Sequence, residues 1–582
     1  MKKILLSVLC MLALHAFSAP YWGEIQKFKQ PDGTWVDVKL YGDEFYIRGE
    51  GLDGYTVVRD EKTGWICYAE LSGTGDQLLS TGITYKGNEG NPSTLRNNLN
   101  LHQHLEMNEA ALNNIRLTNN KLLNGDQPLN RFNNRAADAP APPQGKVKGL
   151  AIIVDFSDEP GTLQMPDFEA FLNGDNYTTY GNKGSVKEFF SDISGKILEY
   201  ENVVYGWYRA PKTFAAYDAM AYAAGAQEIL GKALDWIKSK GFDFSTLTIT
   251  NGKIRAINLM YTGTPPTWSK GMWHHMGQYT KFSANGVSSG DYNCSPAGAP
   301  LTLRVVAHEN GHMVGEWPDT YKYNSNTGTD GIGAFDLMCN PGEATNPVWP
   351  NPYFLSKNGF GKTIDVTTSG ADVNDPTNAM IYYKYSNKNN PAEYFIIHSK
   401  KKVLRGSSFP DEGVTIWRVN TAGDNQTTNH EISLVHANNN KDAHTGACYK
   451  PGKQEYTDNT TPNAKWLNGS ASGLRVWDWG TVGATMHYKI GSPVTGISSQ
   501  QLAEQISVYP NPVVEGTLNI DLSRLQTPAT ITIQDIQGKI VYKNEEKQNG
   551  IVQVNTETFM NGMYFINLHS DNASLNCKII KQ

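Results

Sequence analysis

Cysteine is scarce in this sequence, with six residues among 582. One of them, Cys10, lies in an N-terminal segment that we expect to be removed. The other five are far apart along the chain: Cys67, Cys294, Cys339, Cys448 and Cys577. They are an odd number and lack the spacing of a paired metal-ligand motif. The sequence therefore leaves room for one bridge but does not indicate a disulfide framework.

Clustered charge and long apolar runs are also lacking. The net charge is -6 and only 19% of the residues are charged, with the basic ones scattered along the chain, so we expect no nucleic-acid partner. The apolar run Ile4–Phe17 is too short to span a bilayer stably. No later run is long enough either, so no transmembrane anchor is expected.

The apolar run belongs to an export signal. Lys2-Lys3 precede it and Ser18-Ala19-Pro20 follow it. This is the order of a charged start, an apolar middle and a small-residue cleavage site. Residues 1–19 are therefore predicted to be a signal peptide that is cut after Ser18 or Ala19, and the protein is expected to leave the cytoplasm.

What the sequence does contain is a metal-binding pattern, His308-Glu309-Asn310-Gly311-His312. On a helix, His308 and His312 leave the same face one turn apart, and two imidazoles so placed suit a tetrahedral zinc ion. Glu309 lies beside them, where a carboxylate can act as general base on a zinc-bound water. The pattern predicts a catalytic zinc, although it also fits a helix with two surface histidines.

The residues after this pattern offer two candidates for a third zinc ligand. Asp319 lies in the loop that follows Gly315, whereas Glu316 lies four residues after His312. Glu316 would need the helix to continue through Gly315, and glycine commonly ends a helix. The sequence therefore favours Asp319 and keeps Glu316 as the alternative.

A methionine in a glycine-flanked turn follows, in Gly333-Ala334-Phe335-Asp336-Leu337-Met338. The zinc helix, the glycine turn and this methionine turn together resemble the metzincin clan of zinc endopeptidases. The resemblance implies a metzincin-like α/β zinc-protease domain. In such a domain Met338 is a structural residue that packs beneath the metal without binding it.

A second resemblance runs in order over roughly residues 146–425. The motifs that carry it are Val154–Asp158, Gly184–Phe190, Ile193–Lys196, Gly206–Tyr208, Trp273–His275, the zinc helix, Asp336–Met338 and Glu393–Ile397. As a set they resemble the immune inhibitor A family of secreted bacterial metallopeptidases. The resemblance implies a zinc endopeptidase that acts on protein substrates.

Two features depart from that family. One extra residue separates Gly315 from Asp319, which a loop can absorb. Some relatives carry a calcium loop, and Asp243–Leu247 lacks its density of carboxylates. A structural Ca²⁺ is therefore compatible with the resemblance but is not visible in the sequence. His275 is a candidate for the substrate cleft, and the alternative is an ordinary loop residue.

The length of the chain exceeds what one core supports, so we predict a multidomain α+β protein. Residues 146–365 are expected to form the zinc-protease domain, with a mixed sheet above the zinc helix. Residues 366–495 read as a β-rich accessory domain, and residues 496–582 as a C-terminal β-sandwich.

Residues 20–145 are predicted to be β-rich and to end in a linker, Ala139–Gly145. Their position between signal peptide and protease domain favours a propeptide, which would make the protein a zymogen with Arg131 and Arg135 as candidate processing points. The alternative is a stable accessory domain. Cys67 is a candidate for a thiolate that blocks the zinc, but its neighbours Gly64–Tyr68 predict an ordinary strand.

The C-terminal unit carries three export features. Tyr509-Pro510-Asn511-Pro512 opens it, Gly562-Met563-Tyr564 lies within it and Lys578–Lys581 closes it. These residues resemble the C-terminal sorting domain of the type IX secretion system of Bacteroidetes. The resemblance implies that this machinery is a partner and that the protein, after export through the periplasm, is secreted or attached to the outer cell surface. The alternative is a fibronectin-like binding domain.

These features together predict a secreted zinc-dependent endopeptidase that hydrolyses peptide bonds of extracellular proteins. His308, His312 and Asp319 would hold the zinc, and Glu309 would act as general base on the zinc-bound water. The alternative is a catalytically inactive, protease-like surface adhesin or glycan-binding protein. The presence of Glu309 argues against that alternative, because a binding protein has no need of this carboxylate.

Overall fold

The computed structural model describes residues 21–43, 45–87, 101–125, 144–264, 268, 270–321, 332–366, 371–423, 425, 429–491, 506–524, 529–548, 550–570 and 573–582. Over these residues the protein is multidomain and rich in strands, with few helices. The predicted signal peptide, Arg131, Arg135 and most of the linker Ala139–Gly145 lie outside the described residues.

The N-terminal unit, residues 21–125, consists of an antiparallel sheet and a helix. Its strands pair in sequence order: β1 (Tyr21–Lys29), β2 (Trp35–Gly42), β3 (Ile47–Gly51), β4 (Thr56–Arg59), β5 (Ile66–Leu71) and β6 (Leu78–Thr84). Helix α1 (Glu109–Asn124) follows, and the Asn108 side chain caps it by accepting a hydrogen bond from the Ala111 amide. Cys67 lies in β5 and is buried, as predicted for an ordinary strand.

The central unit, residues 144–361, carries the predicted metal-binding pattern. Its strands are β7 (Gly145–Asp155), β8 (Leu198–Arg209), β9 (Ile249–Thr250), β10 (Lys253–Ile254), β11 (Ile257–Tyr261), β12 (Met276–Gln278), β13 (Ser283–Ala284), β14 (Val287–Ser288), β15 (Asp291–Pro296), β16 (Gly342–Glu343) and β17 (Asn346–Pro347). The main sheet has the order β12-β15-β11-β7-β8. Strands β15, β11, β7 and β8 are parallel, whereas β12 runs antiparallel to β15.

The helices of the central unit are α2 (Met165–Asn173), α3 (Val186–Ile193), α4 (Phe214–Asp218), α5 (Ala224–Ser239), α6 (Leu303–Met313) and α7 (Pro352–Lys357). Ser185 and Glu188 form a capping box at the start of α3, with each side chain accepting a hydrogen bond from the other's backbone amide. The sequence has helical spacing of apolar residues from Ala219 to Lys240, but helix α5 begins only at Ala224. The left-handed backbone of Ala223, with φ +60°, prevents an earlier start.

The second β unit, residues 362–491, consists of two sheets. Its strands are β18 (Lys362–Asp365), β19 (Ala371–Pro376), β20 (Ile381–Ser386), β21 (Glu393–Lys400), β22 (Gly413–Asn420), β23 (Ile432–Val435), β24 (Arg475–Trp477) and β25 (Thr485–Gly491). The sheet orders are β18-β20-β21-β22-β23 and β19-β25-β24. The sequence predicts that this unit begins at residue 366, whereas strand β18 spans Lys362–Asp365. We assign β18 to this unit because it pairs with β20.

The C-terminal unit, residues 506–582, is a pair of antiparallel sheets. Its strands are β26 (Ser507–Tyr509), β27 (Thr517–Asp521), β28 (Ala529–Asp535), β29 (Ile540–Gln548), β30 (Ile551–Asn555), β31 (Gly562–Ser570) and β32 (Ala573–Lys581). The sheets β26-β27-β30 and β29-β28-β31-β32 enclose a core of their own that includes Leu518, Ile531 and Ile566. This is the arrangement of short, evenly spaced strands that the sequence predicts.

The other three units share an apolar core. Phe28 of the N-terminal unit, Val306 of helix α6 and Ile432 of the second β unit belong to one contiguous cluster of buried side chains. Among the described residues, no helix has both the length and the apolar character needed to cross a membrane. Among the described cysteines, Cys67, Cys294, Cys448 and Cys577 are free thiols.

Candidate metal centre

Helix α6 supplies both histidines from a fully buried position. Each of its residues, Leu303–Met313, is buried, and it packs against β15 and the edge strand β12. Leu303, Val306 and Met313 lie three and seven residues apart, so they contribute apolar surface along the helix to the shared core. Burial on this scale holds the helix backbone, and therefore the two imidazoles, in one orientation.

Three donor atoms converge beside this helix. The Nε2 atoms of His308 and His312 lie 3.2 Å apart, and Asp319 Oδ1 lies 3.3 Å from each of them. The side chains are at most one-tenth exposed. They form a group of His and Asp residues in the described part of the chain whose donor atoms are close enough to share one metal ion. The structure therefore brings together the three ligands that the sequence favours.

Backbone carbonyls orient both imidazoles. His308 Nδ1 lies 3.1 Å from the Leu337 carbonyl oxygen, and His312 Nδ1 lies 2.7 Å from that of Trp317. Because a carbonyl can only accept, we assign the proton of each ring to Nδ1, which leaves the Nε2 lone pairs directed at each other and at Asp319. This is the outer-shell arrangement common to metal-binding histidines.

The triangle of donor atoms has the size that zinc requires. A tetrahedral ion with bonds of about 2.0–2.1 Å separates its ligand atoms by about 3.3–3.4 Å. The three separations here are 3.2, 3.3 and 3.3 Å. Two imidazoles and one carboxylate are also a donor set that zinc accepts, and they leave one of four positions for a water or substrate. The residues present therefore fit a catalytic zinc ion.

The two acidic side chains of the site have opposite pKa shifts. Burial alone would raise the pKa of Asp319, but the imidazoles of His312 and His308 outweigh it and hold that pKa well below its usual range. Burial raises the pKa of Glu309 to about 7, with His308 lowering it and the charge of Asp319 raising it further. The lowered pKa favours the charged form of the Asp319 carboxylate, whereas Glu309 can both take up and release a proton near neutral pH.

Glu316, the alternative ligand, is held away from the histidines. Its carboxylate lies 2.5 Å from Arg255 Nη1, and Arg255 Nη2 also donates to the Val314 carbonyl at 3.0 Å. Glu316 itself has φ +55°, so this residue makes the turn that the sequence assigns to Gly315. Gly315 is needed for another reason, because a Cβ there would come within 2.5 Å of the Trp317 ring.

Met338 packs directly beneath helix α6. A Cβ on Gly311 would lie 2.7 Å from Met338 Sδ, so the glycine inside the motif makes room for the methionine. The turn is held by the buried carboxylate of Asp336, which accepts hydrogen bonds from Thr320 Oγ1 at 2.6 Å and from Asn351 Nδ2 at 2.9 Å. This arrangement joins the methionine turn to the loop that carries Asp319.

A buried asparagine network ties helix α6 to the sheet. Asn310 Nδ2 donates to Asn258 Oδ1 at 2.8 Å, and Asn293 Nδ2 donates to the same oxygen at 2.7 Å. Asn258 Nδ2 in turn donates to Tyr200 Oη at 2.8 Å and to Asn202 Oδ1 at 2.9 Å. This network was not predicted from the sequence. Its signal was a polar residue, Asn258, inside the otherwise apolar strand β11.

We expect Asn258→Ala to destabilise the protein by about 3 kcal/mol, because it leaves several buried hydrogen-bonding groups without their partner. The measurement is the free energy of unfolding from denaturant titration of the full chain. Asn374→Ala is the matched control, since Asn374 is exposed on β19 and its loss should cost less than about 0.5 kcal/mol. Equal losses of unfolding free energy for the two substitutions would show that the network does not stabilise the protein.

Both ring nitrogens of the candidate cleft residue His275 have partners other than the three converging side chains. Its Nδ1 is 2.5 Å from the Trp273 carbonyl oxygen and its Nε2 is 2.8 Å from Tyr292 Oη. The ring has no exposed surface, and burial lowers the pKa of His275 to about 4. Its neighbour His274 instead lines a cavity of about 580 Å³ between the N-terminal and central units.

Comparison with known proteins assigns the C-terminal unit. Residues 507–582 match the family described as the secretion system C-terminal sorting domain. No curated protein matches the chain in a sequence search. The matched residues coincide with the two-sheet unit that has a core of its own. The C-terminal unit is therefore a type IX secretion sorting domain, and the protein is exported and then secreted or attached to the cell surface.

Proposed function

We propose that this protein is a secreted zinc endopeptidase. The observation that carries the proposal is the convergence of His308 Nε2, His312 Nε2 and Asp319 Oδ1 at separations of 3.2–3.3 Å on one buried point. Structural zinc sites use four protein ligands, whereas catalytic sites use three and keep one position open. The described residues supply three, so the donor set favours catalysis over a structural role.

Glu309 performs the proton transfers in this proposal. When bound, zinc would act as a Lewis acid that lowers the pKa of water and polarises a carbonyl group. The Glu309 carboxylate accepts a proton from the attacking water while the oxygen of that water bonds to the scissile carbonyl carbon. Glu309 then donates that proton to the amide nitrogen as the carbon–nitrogen bond breaks. A carboxyl group with a pKa raised to about 7 suits both steps at neutral pH.

The central sheet supports a peptide as the substrate. Strand β12 is the edge of the sheet β12-β15-β11-β7-β8 and lies beside helix α6. A sheet edge offers backbone amides and carbonyls to which an extended peptide can add as a further strand. The single antiparallel edge strand beside the histidine-bearing helix also supports the metzincin-like interpretation of this unit.

The N-terminal unit acts in this proposal as a propeptide. Helix α1 ends against the edge strand: a Cβ on Gly277 would lie 3.0 Å from Leu123 Cδ2, and Gln227 Nε2 donates to the Leu122 carbonyl at 3.1 Å. The side chain of Leu123 is buried in this contact. Because helix α1 covers the edge to which a peptide would add, the intact chain should be latent.

Cleavage between α1 and β7 is therefore expected to raise peptide hydrolysis by roughly tenfold or more, because a tethered covering segment competes with substrate at high effective concentration. The measurement is casein hydrolysis before and after limited trypsin treatment of the full chain. The control is Arg131→Gln combined with Arg135→Gln, which removes the two candidate cleavage sites and should keep the chain latent. Equal rates for the intact and the cleaved chain would contradict the propeptide role.

Casein zymography with and without a zinc chelator tests the proposed function as a whole. An endopeptidase clears casein, and a chelator abolishes the clearing because the ligand set is emptied. An adhesin built on the same fold clears nothing under either condition. Clearing that survives complete removal of zinc would mean that other residues hydrolyse the substrate.

A further inference from the structure

A loop of the second β unit reaches the loop that carries the third metal ligand. Asn425 lies between β22 and β23, and its Nδ2 donates a hydrogen bond to the main-chain carbonyl of Asp319 at 3.2 Å. The two residues are 106 positions apart in the sequence. Asn425 is 1% exposed, so this contact is made in the interior of the protein.

Asn425 is itself held in place. Its Oδ1 accepts hydrogen bonds from the amide of Glu431 at 2.8 Å and from that of Ile432 at 3.4 Å, at the start of β23. Its backbone has φ +55°, a conformation that asparagine tolerates better than most residues. The Glu431 carboxylate accepts a hydrogen bond from Tyr353 Oη of helix α7 at 2.6 Å. The amide of Asn425 therefore presents its donor to Asp319 from a fixed frame.

The residues on either side of Asp319 are held by the central unit. The Trp317 carbonyl lies 2.7 Å from His312 Nδ1, and the Thr320 amide donates to the Met338 carbonyl at 3.1 Å. The Asp319 carbonyl and the Thr320 amide belong to one peptide group, so Asn425 holds its oxygen while the Met338 carbonyl accepts from its N–H. The second β unit thus contributes directly to the segment that places the carboxylate of Asp319.

We propose that Asn425 is a positioning residue for the metal ligand Asp319, and that the second β unit is thereby part of the metal centre. This inference rests on the proposed function, because it takes His308, His312 and Asp319 as the zinc ligands. Without the Asn425 donor, the peptide group between Asp319 and Thr320 keeps only the hydrogen bond from its N–H to Met338, so it can tilt and shift the Asp319 carboxylate out of the triangle of donor atoms. Loss of such an outer-shell partner typically costs about 10- to 100-fold in metal affinity.

The test compares Asn425→Gly with Asn429→Gly in the full chain. Glycine tolerates the left-handed backbone of position 425, so the first substitution removes the amide without adding backbone strain. Asn429 lies in the same loop and hydrogen-bonds to Asn420 Nδ2 and the Ala422 carbonyl, so its loss disturbs the loop but not the contact with Asp319. Asn425→Asp retains an acceptor for the Glu431 amide and serves as the second variant if Asn425→Gly does not fold.

The readouts are the zinc dissociation constant, from competition with a chromophoric chelator, and the visible spectrum of the cobalt(II)-substituted protein. We expect the Asn425 variant to bind zinc about 10- to 100-fold more weakly and to have an altered cobalt spectrum, whereas the Asn429 variant matches the wild type. Unchanged zinc affinity and an unchanged cobalt spectrum in the Asn425 variant would overturn the inference alone. A wild-type chain that binds no zinc would overturn the proposed function and the inference together.

Discussion

Glu309→Gln is expected to lower kcat for peptide hydrolysis by about 10²- to 10⁴-fold, the usual contribution of a general acid–base group. Glutamine has nearly the same shape, so the packing of helix α6 should remain. Its amide cannot accept a proton from the attacking water or return one to the leaving nitrogen. The surroundings of Glu309 are buried, so bulk water has little access to replace it. The measurement is kcat on a quenched fluorescent peptide after cleavage of the N-terminal unit.

Zinc content separates loss of the base from loss of the metal. Glu309 is not among the three converging donors, so the variant should bind zinc as the wild type does. Glu343→Gln is the matched control, because Glu343 is an exposed glutamate of the same unit and should have no role in hydrolysis. A pure Glu309→Gln sample that still hydrolyses the peptide at the wild-type rate would remove Glu309 from the mechanism.

Asp319→Ala is expected to weaken zinc binding by more than the roughly 100-fold that loss of an outer-shell partner can cost, because it removes a direct ligand and its charge. The lowered pKa of Asp319 means that this carboxylate is charged throughout the neutral range and needs no proton loss before it binds a cation. The measurement is the zinc dissociation constant from competition with a chromophoric chelator.

Glu316→Ala is the informative contrast, since Glu316 is the other acidic residue of the same loop. Its carboxylate pairs with Arg255 at 2.5 Å, so its removal should disturb the loop while the zinc affinity stays close to that of the wild type. The opposite result, with zinc lost on removing Glu316 and kept on removing Asp319, would reverse the assignment of the third ligand.

The predictable part of the site comes from local periodicity. A spacing of four residues on a helix brings His308 and His312 to one face, and the structure places their Nε2 atoms 3.2 Å apart. The same kind of local rule accounts for the capping box at Ser185 and Glu188 and for the buried strand Leu150–Val154, since each depends on neighbours within one element.

The rest of the site depends on contacts between distant segments. Arg255, which draws Glu316 away from the histidines, is 61 residues before it in the sequence. From the sequence alone Glu316 therefore remains an alternative ligand, and only a tertiary contact removes it. The need for glycine at position 311 also depends on a distant segment. A Cβ there would meet Met338, and the helix sequence alone does not predict that contact.

Domain boundaries were also less visible than domain types. Alternating apolar and polar residues predict strand-rich units before and after the central unit. They do not predict that these units share a core, because nothing near Phe28, Val306 or Ile432 in the sequence indicates that they belong to one cluster. For this reason the sequence alone indicates no chemistry for the second β unit. Its contribution through Asn425 depends on a loop that meets Asp319 only in the folded chain.

The most direct test of the account is anomalous X-ray diffraction at the zinc edge from crystals of the zinc-loaded protein. The account predicts one strong peak within about 2.0–2.2 Å of His308 Nε2, His312 Nε2 and Asp319 Oδ1. A zinc-saturated crystal with no peak among these three atoms, or with its peak held by other residues, would contradict it.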